Sequence, residues 1–393
     1  MAQAGARLAA AGRAPAGGPG RRRVAAAGAV SHARRLARAV VRRRPAALLP
    51  RGERSLPVQE GRNMSEFWQD RRVMITGAGG FLGAWLGRVL VDRGARAWGF
   101  DLSTGDCLAV HGLADRVPVT RGTVLDGAAV ERALREHAID VCFHLAGQSM
   151  IEGAAAGPVA AFEVNVRGTW TVLEACRRAG PLRAVVCASS NHAYGPQAVA
   201  PFPEDAPLNQ LDPYGVSKAC ADLLARSFAA NFDLPVVAAR NVNSFGPGDP
   251  HTSHIVTGSV LALLRGEPPV IRSDGSPVKA YLHARDTVEA YALLAEHAAE
   301  PAVRGQAFNI TPAAPVSVLE LVRTLIAVAG AGVEPVVAAT DLSQKGYFEH
   351  LSGEKLRARL GWRPRLTLEE GLRDTYRWFA EHGTRWITER RHA

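Results

Sequence analysis

Arg71–Leu90 reads RRVMITGAGGFLGAWLGRVL, and the rest of the chain is organised around it. Val73-Met-Ile-Thr76 is a short apolar run of the length a buried strand uses. It breaks into Gly77-Ala-Gly-Gly80-Phe81-Leu82-Gly83, after which apolar side chains recur at helical spacing at Leu82, Trp85, Leu86, Val89 and Leu90. Strand, glycine turn and helix in that order build a dinucleotide cradle. Glycines let the backbone turn tightly and approach a ligand, and the new helix offers free N–H groups and its positive dipole end to a pyrophosphate. Gly77, Gly80, Phe81, Leu82 and Gly83 are therefore the first cofactor-binding candidates.

Further along, Ala95–Phe100 reads as a second strand ending in Asp101, about 20 residues past the turn, where a carboxylate meets the adenosine ribose. An acid there favours NAD over NADP, since it repels a 2′-phosphate. Gly122–Asp126 suggests a third strand end, with Asp126 able to meet the adenine. Ala128–His137 reads as a helix, and Ile139–Leu145 as a buried strand that sets Leu145 and Ala146 over the cofactor. Val159–Ala179 is a long helix and Arg183–Ala188 the next strand. Strands alternating with helices imply an α/β fold, a Rossmann doubly wound parallel sheet.

The chemistry is expected where that last strand leaves the sheet, because such folds bind ligands at the carboxyl ends of their strands. Ser189-Ser190-Asn191-His192-Ala193-Tyr194-Gly195 lies there, and Tyr214-Gly-Val-Ser-Lys218 follows on the next helix. Tyr214 and Lys218, at i and i+4, share one helix face. A nearby ammonium favours phenolate, so Lys218 is expected to lower the Tyr214 pKa. The phenolate can then take a hydroxyl proton from a substrate as hydride leaves its carbon for nicotinamide, with Ser190 holding the same oxygen.

Composition bounds the rest. The chain has 393 residues, 47% of them hydrophobic, enough for a sizeable core, and no apolar run reaches the about 18–20 residues of a membrane-spanning helix. Cys107, Cys142, Cys176, Cys187 and Cys220 form no C-x-x-C pair, so neither a metal site nor a disulfide framework is expected, and reduced thiols point to the cytoplasm. The net charge is +10, but it is not spread evenly. Fourteen of the 47 Lys and Arg and only two of the 37 Asp and Glu fall in residues 1–63, leaving +12 there and −2 on the remainder. The body is near neutral, so no nucleic-acid or membrane partner is expected of it.

Residues 1–63, rich in Ala, Arg, Gly and Pro, read as disordered. A transit peptide, a basic arm for an acidic surface and an upstream extension of a chain whose translation begins at Met64 all fit. The third is favoured, because Met64-Ser-Glu-Phe-Trp leads straight into the first strand.

Together these residues resemble the extended short-chain dehydrogenase/reductase family, the nucleotide-sugar epimerases and dehydratases. The resemblance runs from Phe67 to Phe379. It rests on the glycine turn, His144-Leu-Ala-Gly147, Asn165-Val-x-Gly-Thr169, Ser189-Ser190, Tyr214-x-x-x-Lys218, Arg240-Asn-Val-Asn243-Ser-Phe-Gly-Pro-Gly, Ala307-Phe-Asn309-Ile and Leu360-Gly-Trp-Arg-Pro. It implies a Rossmann domain over residues 64–240 and a smaller portion over 241–385 that mainly binds a nucleoside-diphosphate sugar, with some return to the Rossmann sheet. It also implies NAD that stays bound through a turnover, a homodimer built on the two long helices, and substrate contacts from Asn191, Asn243, Lys279 and Asn309.

Within the family, Glu66-Phe-Trp-Gln-Asp-Arg-Arg-Val, Glu204-Asp-Ala-Pro-Leu and Gly266-Glu-Pro-Pro-Val-Ile-Arg are similar to the CDP-glucose 4,6-dehydratases. Those enzymes have an acidic residue and then Lys or Glu where this chain has Asn191 and His192. An amide is no general acid near neutral pH, whereas His192 can give or take a proton. A 4,6-dehydratase-like outcome is expected first on whole-chain resemblance. A 4-epimerase, needing only Ser190, Tyr214 and Lys218, stays open, as do a uronate dehydrogenase and a non-catalytic dinucleotide-binding regulator. Lys279 replaces the Arg usual at its place, keeping charge but losing bidentate geometry. His144 and His283 are expected to be structural, and Trp85, Trp170, Trp362 and Trp378 to pack in the core.

Overall fold

Strand β1, Arg72–Thr76, lies inside a sheet whose other members come from the whole length of the chain. The computed structural model describes residues 64–390 apart from Gly105, Met150 and Gln344, so the reading of residues 1–63 falls outside the described residues. In chain order the main strands are β1, β2 (Arg96–Asp101), β3 (Val119–Arg121), β4 (Val141–His144), β5 (Ala184–Ser190), β6 (Val236–Asn241), β7 (Asn243–Phe245), β8 (Tyr281–His283) and β9 (Ala307–Ile310). Seven of them form one sheet in the order β9-β6-β5-β4-β1-β2-β3, every neighbour parallel. The order reverses between β1 and β4, and a crevice opens at such a switch point. β7 and β8 pair in a separate parallel ribbon beyond β6.

The larger helices are α1 (Phe81–Asp92), α2 (Gly127–Glu136), α3 (Gly168–Ala179), α4 (Pro213–Phe232), α5 (Ile255–Leu264), α6 (Ala284–His297), α7 (Val318–Ala329) and α8 (Leu368–Arg390). Alternate side chains of a strand point to opposite faces. Val73, Ile75, Val141, Phe143 and Val186 therefore meet the buried faces of α1 and α6, while Met74, Cys142, Val185 and Cys187 meet α2, α3 and α4. Each such fully buried aliphatic side chain contributes about 1.5–3 kcal/mol of transfer free energy. A third cluster joins α5, α7 and α8 through Val260, Leu321, Leu325, Leu372 and Phe379. No described helix is long and apolar enough to cross a membrane.

Helix starts follow their local chemistry. Asp212 accepts from Gly215 N at 2.9 Å and Pro213 takes the first turn of α4, where a missing N–H costs nothing. The long helix expected from Val159 is instead interrupted. Pro158–Phe162 runs into one π turn, Glu163–Arg167, before α3 begins. Trp170 departs from the expectation of core packing: it is 45% exposed on α3, because apolar spacing marks a face without saying what covers it.

Candidate active site

A cavity of about 1130 Å³ runs from the glycine turn, past the ends of β4 and β5, to Arg272 and Lys279. Its floor is the turn itself. Gly77 has φ +75°, and a Cβ there would lie 2.8 Å from Ala146 N. A Cβ on Gly83 would lie 2.1 Å from Gly77 O, so α1 could not pack against its own entry loop. Gly80 caps α1 without a side-chain hydrogen bond, which leaves the first-turn N–H groups facing the cavity. Asp101 accepts from Gly79 N at 2.9 Å and Leu102 N at 2.7 Å, fixing a carboxylate beside the turn. An uncapped helix start, glycines with no room for a Cβ and a carboxylate at the end of β2 fit a dinucleotide. Phe81, Leu82, Leu145 and Ala146 also line the cavity.

Asp126 does not. It is exposed and caps α2, accepting from Ala129 N at 3.0 Å, while Thr123 and Val124 line the wall instead. The turn after β3 faces the Asp126 side chain toward its own helix.

Ser190, Asn191, His192, Tyr214 and Lys218 all reach the wall of this cavity. Lys218 Nζ donates to Ala188 O at 3.2 Å, and burial brings its pKa down to about 8. Burial pushes Tyr214 up. A hydrogen bond with Ser190 opposes that rise, and the Asp212 carboxylate adds to it. The expected lowering of Tyr214 by Lys218 is not seen: burial of the phenol raises it, and the group that opposes the rise is Ser190. The His192 ring lies edge-on to that of Tyr214, centroids 5.7 Å apart. Burial, with help from the Lys279 ammonium, takes His192 down to about 4, so it is neutral at pH 7 and able to accept a proton.

The Asn191 amide is held at both ends, donating through Nδ2 to Glu349 and accepting from Ser190 Oγ at 3.2 Å. Asn243 and Lys279 line the cavity, Asn243 donating to Ala280 O at 3.1 Å. Asn309 does not reach it. It is fully buried, accepting from Tyr194 Oη at 2.7 Å and donating to Ser352 O at 3.1 Å. It belongs to the network around the Asp222–Arg240 pair, whose two Arg240–Asp222 contacts are each 2.8 Å. His144 is structural as expected, bonded to Thr76 Oγ1 at 2.8 Å and Thr169 Oγ1 at 3.1 Å.

Three residues of the site were missed from the sequence. Glu349 stands behind Asn191. Asn165, inside the π turn, accepts from Gln148 N at 2.7 Å and donates to Ser217 Oγ at 2.8 Å, tying the loop after β4 to α4. Such π turns cluster at functional sites. Buried Asp249, on the cavity wall, accepts from His254 Nδ1 at 2.8 Å and Thr257 Oγ1 at 2.9 Å. The Asn165 motif was a signal; Glu349 and Asp249 had none.

Against known proteins, a model described as the NAD dependent epimerase/dehydratase family matches residues 73–311. A UDP-glucose 4-epimerase of Mycolicibacterium smegmatis is 31% identical over 78% of this chain and 98% of its own. A dTDP-glucose 4,6-dehydratase of Xanthomonas campestris is 29% identical over 80% of this chain and 94% of its own. The crystal structure of a dTDP-glucose 4,6-dehydratase from Streptomyces venezuelae with NAD bound superposes with a TM-score of 0.71 at 28% identity, over 81% of this chain and 99% of that one.

Proposed function

The chain belongs to the NAD dependent epimerase/dehydratase family, and on that footing we propose that it oxidises C4 of a nucleoside-diphosphate sugar and passes it on by 4,6-dehydratase-like chemistry. One observation carries this reading: Ser190, Tyr214 and Lys218 meet on the wall of the cavity whose floor is the glycine turn. What NAD supplies when bound is a reversible hydride acceptor. Gly77, Gly80, Phe81, Leu82 and Gly83 would hold its pyrophosphate, Asp101 would meet its adenosine ribose, and Leu145 and Ala146 would pack against it.

The chain's own residues manage protons. Tyr214 takes the proton of the C4 hydroxyl as that carbon becomes a carbonyl. Lys218, one helical turn away, puts a cation on the same face and favours the phenolate. Ser190 orients the sugar oxygen. Asn243 and Lys279 face the sugar nucleotide, Lys279 toward phosphate. His192, neutral and beside Tyr214, is placed to remove a proton from a carbon next to the new carbonyl, the step a dehydration needs. A second reading, 4-epimerisation, is favoured by Asn191, which cannot protonate a departing hydroxyl.

The protein works as a homodimer through α3 and α4, on which Trp170, Leu223 and Phe232 stay exposed. None of its five cysteines is in a disulfide, which suits the cytoplasm. The deciding experiment incubates the full chain with UDP-, dTDP- and CDP-glucose and identifies products by mass and NMR. A 4-keto-6-deoxy sugar upholds dehydration, a C4 epimer alone replaces it with epimerisation, and no change in any sugar overturns both.

A further inference from the structure

His144 closes strand β4 with 4% of its surface exposed, and both of its ring nitrogens are engaged. Nδ1 lies 2.8 Å from Thr76 Oγ1, and Nε2 lies 3.1 Å from Thr169 Oγ1. The two hydroxyls carry these contacts onward. Thr169 Oγ1 donates to Asn165 O at 2.6 Å, and Thr76 Oγ1 accepts from Ala146 N at 3.2 Å. The row joins the strand that enters the glycine turn to the π turn.

These contacts fix where the protons are. A carbonyl only accepts, so the one hydroxyl proton of Thr169 is spent on Asn165 O. Toward the ring Thr169 Oγ1 can then only accept, and His144 Nε2 must carry hydrogen. Burial, with the Lys218 ammonium adding to it, takes the ring down to about 3, so Nε2–H is its single proton at pH 7. Nδ1 is therefore an acceptor, and Thr76 Oγ1 donates to it. From Ala146 N through Thr76, His144 and Thr169 to Asn165 O, each group donates to the next.

Both ends of the row act on one loop. Ala146 N, at its start, is the atom that a Cβ on Gly77 would meet at 2.8 Å, so the glycine turn packs against that amide. At its end, the Asn165 side chain grips Gln148 through N at 2.7 Å and O at 3.1 Å, and donates to Ser217 Oγ at 2.8 Å. Ser217 Oγ donates in turn to Tyr214 O at 2.7 Å. We propose that His144, fixed as the Nε2–H tautomer, is a positioning residue that sets the 145–148 loop and helix α4 against the glycine turn, and so holds Tyr214 and Lys218 over the cavity floor. This rests on the reading of the glycine turn, Tyr214 and Lys218 as working parts. A ring that only filled space could be exchanged for an apolar side chain of its size. One that sets this row could not, because Thr76 would be left with a buried proton and Thr169 with a buried lone pair unanswered.

Two measurements on the full chain test this. The first is nitrogen NMR of the isotope-labelled histidines at pH 7, with His144 identified by its loss in His144→Gln. An unprotonated Nδ1 and a protonated Nε2 are expected; the opposite tautomer, or a doubly protonated ring, overturns the proposal. The second compares His144→Gln, whose amide keeps one acceptor and one donor, with the apolar His144→Met. Each is saturated with NAD, and the NAD lost after buffer exchange is followed by mass spectrometry. Loss is expected to be about tenfold faster in His144→Met, the effect of one buried hydrogen bond, and near parental in His144→Gln. Turnover should divide the same way, kcat in His144→Met falling about 10²-fold with KM for the sugar nucleotide little changed. Equal behaviour of the two variants overturns the proposal. Thr169→Val removes the next hydroxyl at nearly constant shape. Added to His144→Met it should speed NAD loss no further, and full additivity overturns the proposal as well. If His144→Met does not fold, parental NAD retention in Thr169→Val overturns it alone. Neither the tautomer nor NAD retention needs turnover, so failure of the nucleotide-sugar assay leaves both results standing.

Discussion

Arg240 and Asp222 hold each other inside the protein with almost no solvent on either side chain, and Tyr194 adds its ring 4.8 Å from the guanidinium. Removing one partner strands the other charge. Asp222→Ala is expected to lower the free energy of unfolding by about 3–5 kcal/mol, read from urea denaturation. Tyr214→Phe tests a different property. The phenyl ring stays and only the proton acceptor goes, so turnover of the preferred sugar should fall about 10²–10⁴-fold. The NAD that copurifies, measured by mass spectrometry, should be unchanged. Equal turnover would remove Tyr214 from its role. Residues such as Tyr214, Lys218 and Ser190 were legible in the sequence because their evidence is local, a fixed spacing on one helix or one strand end. Glu349 was not, since it lies 158 positions from Asn191 and meets it only through a strap held by Val278 and Phe202. Asn309 sits in a recognisable motif, yet a motif gives no burial, and the folded chain spends that side chain on Tyr194 and Ser352.

Among elements, the turn between β1 and α1 is where strand, helix and cavity constrain each other most tightly. Gly77→Ala forces an L side chain to φ +75° and against Ala146 N. It should cost about 1–2 kcal/mol of stability from the left-handed backbone alone. It should also displace the cavity floor, so the variant should lose its copurifying NAD; retention at parental level would refute the cradle. The turn was readable because glycine, strand run and helical spacing coincide within twenty residues. The start of α4 is marked chemically by Asp212 and Pro213. The π turn was not readable: nothing in Glu163–Arg167 breaks helical spacing, and the extra residue is taken up where Asn165 ties to Gln148 and Ser217.

Across the described residues, burial lowers the pKa of four histidines, His111, His144, His192 and His350, and in three of them the drop is large. His144 is depressed to about 3, and His111 and His192 to about 4. Each folded value lies below the unfolded value of about 6.5. Above that pH neither state is protonated and no stability is lost. Below it the unfolded chain binds protons that the folded one refuses, so stability falls with pH until the folded values are reached. His144 alone gives a slope of about 1.4 kcal/mol per pH unit across that window. The urea midpoint should therefore drop steadily from pH 6.5 to 4.5, and a flat midpoint would refute the neutral assignments. The parallel order of the sheet was legible from the alternation of strands and helices, but the position of β9 was not, because its partner β6 lies some seventy residues earlier. That separation has a consequence for how the chain is made. At roughly 5–20 residues per second a ribosome needs several seconds to go from Asn241 to Ile310. During that time the apolar β6, Val236–Asn241, stands as an uncovered sheet edge able to pair with another nascent chain. The emerging polypeptide is thus most in need of a chaperone just before residues 307–310 leave the exit tunnel and close the sheet.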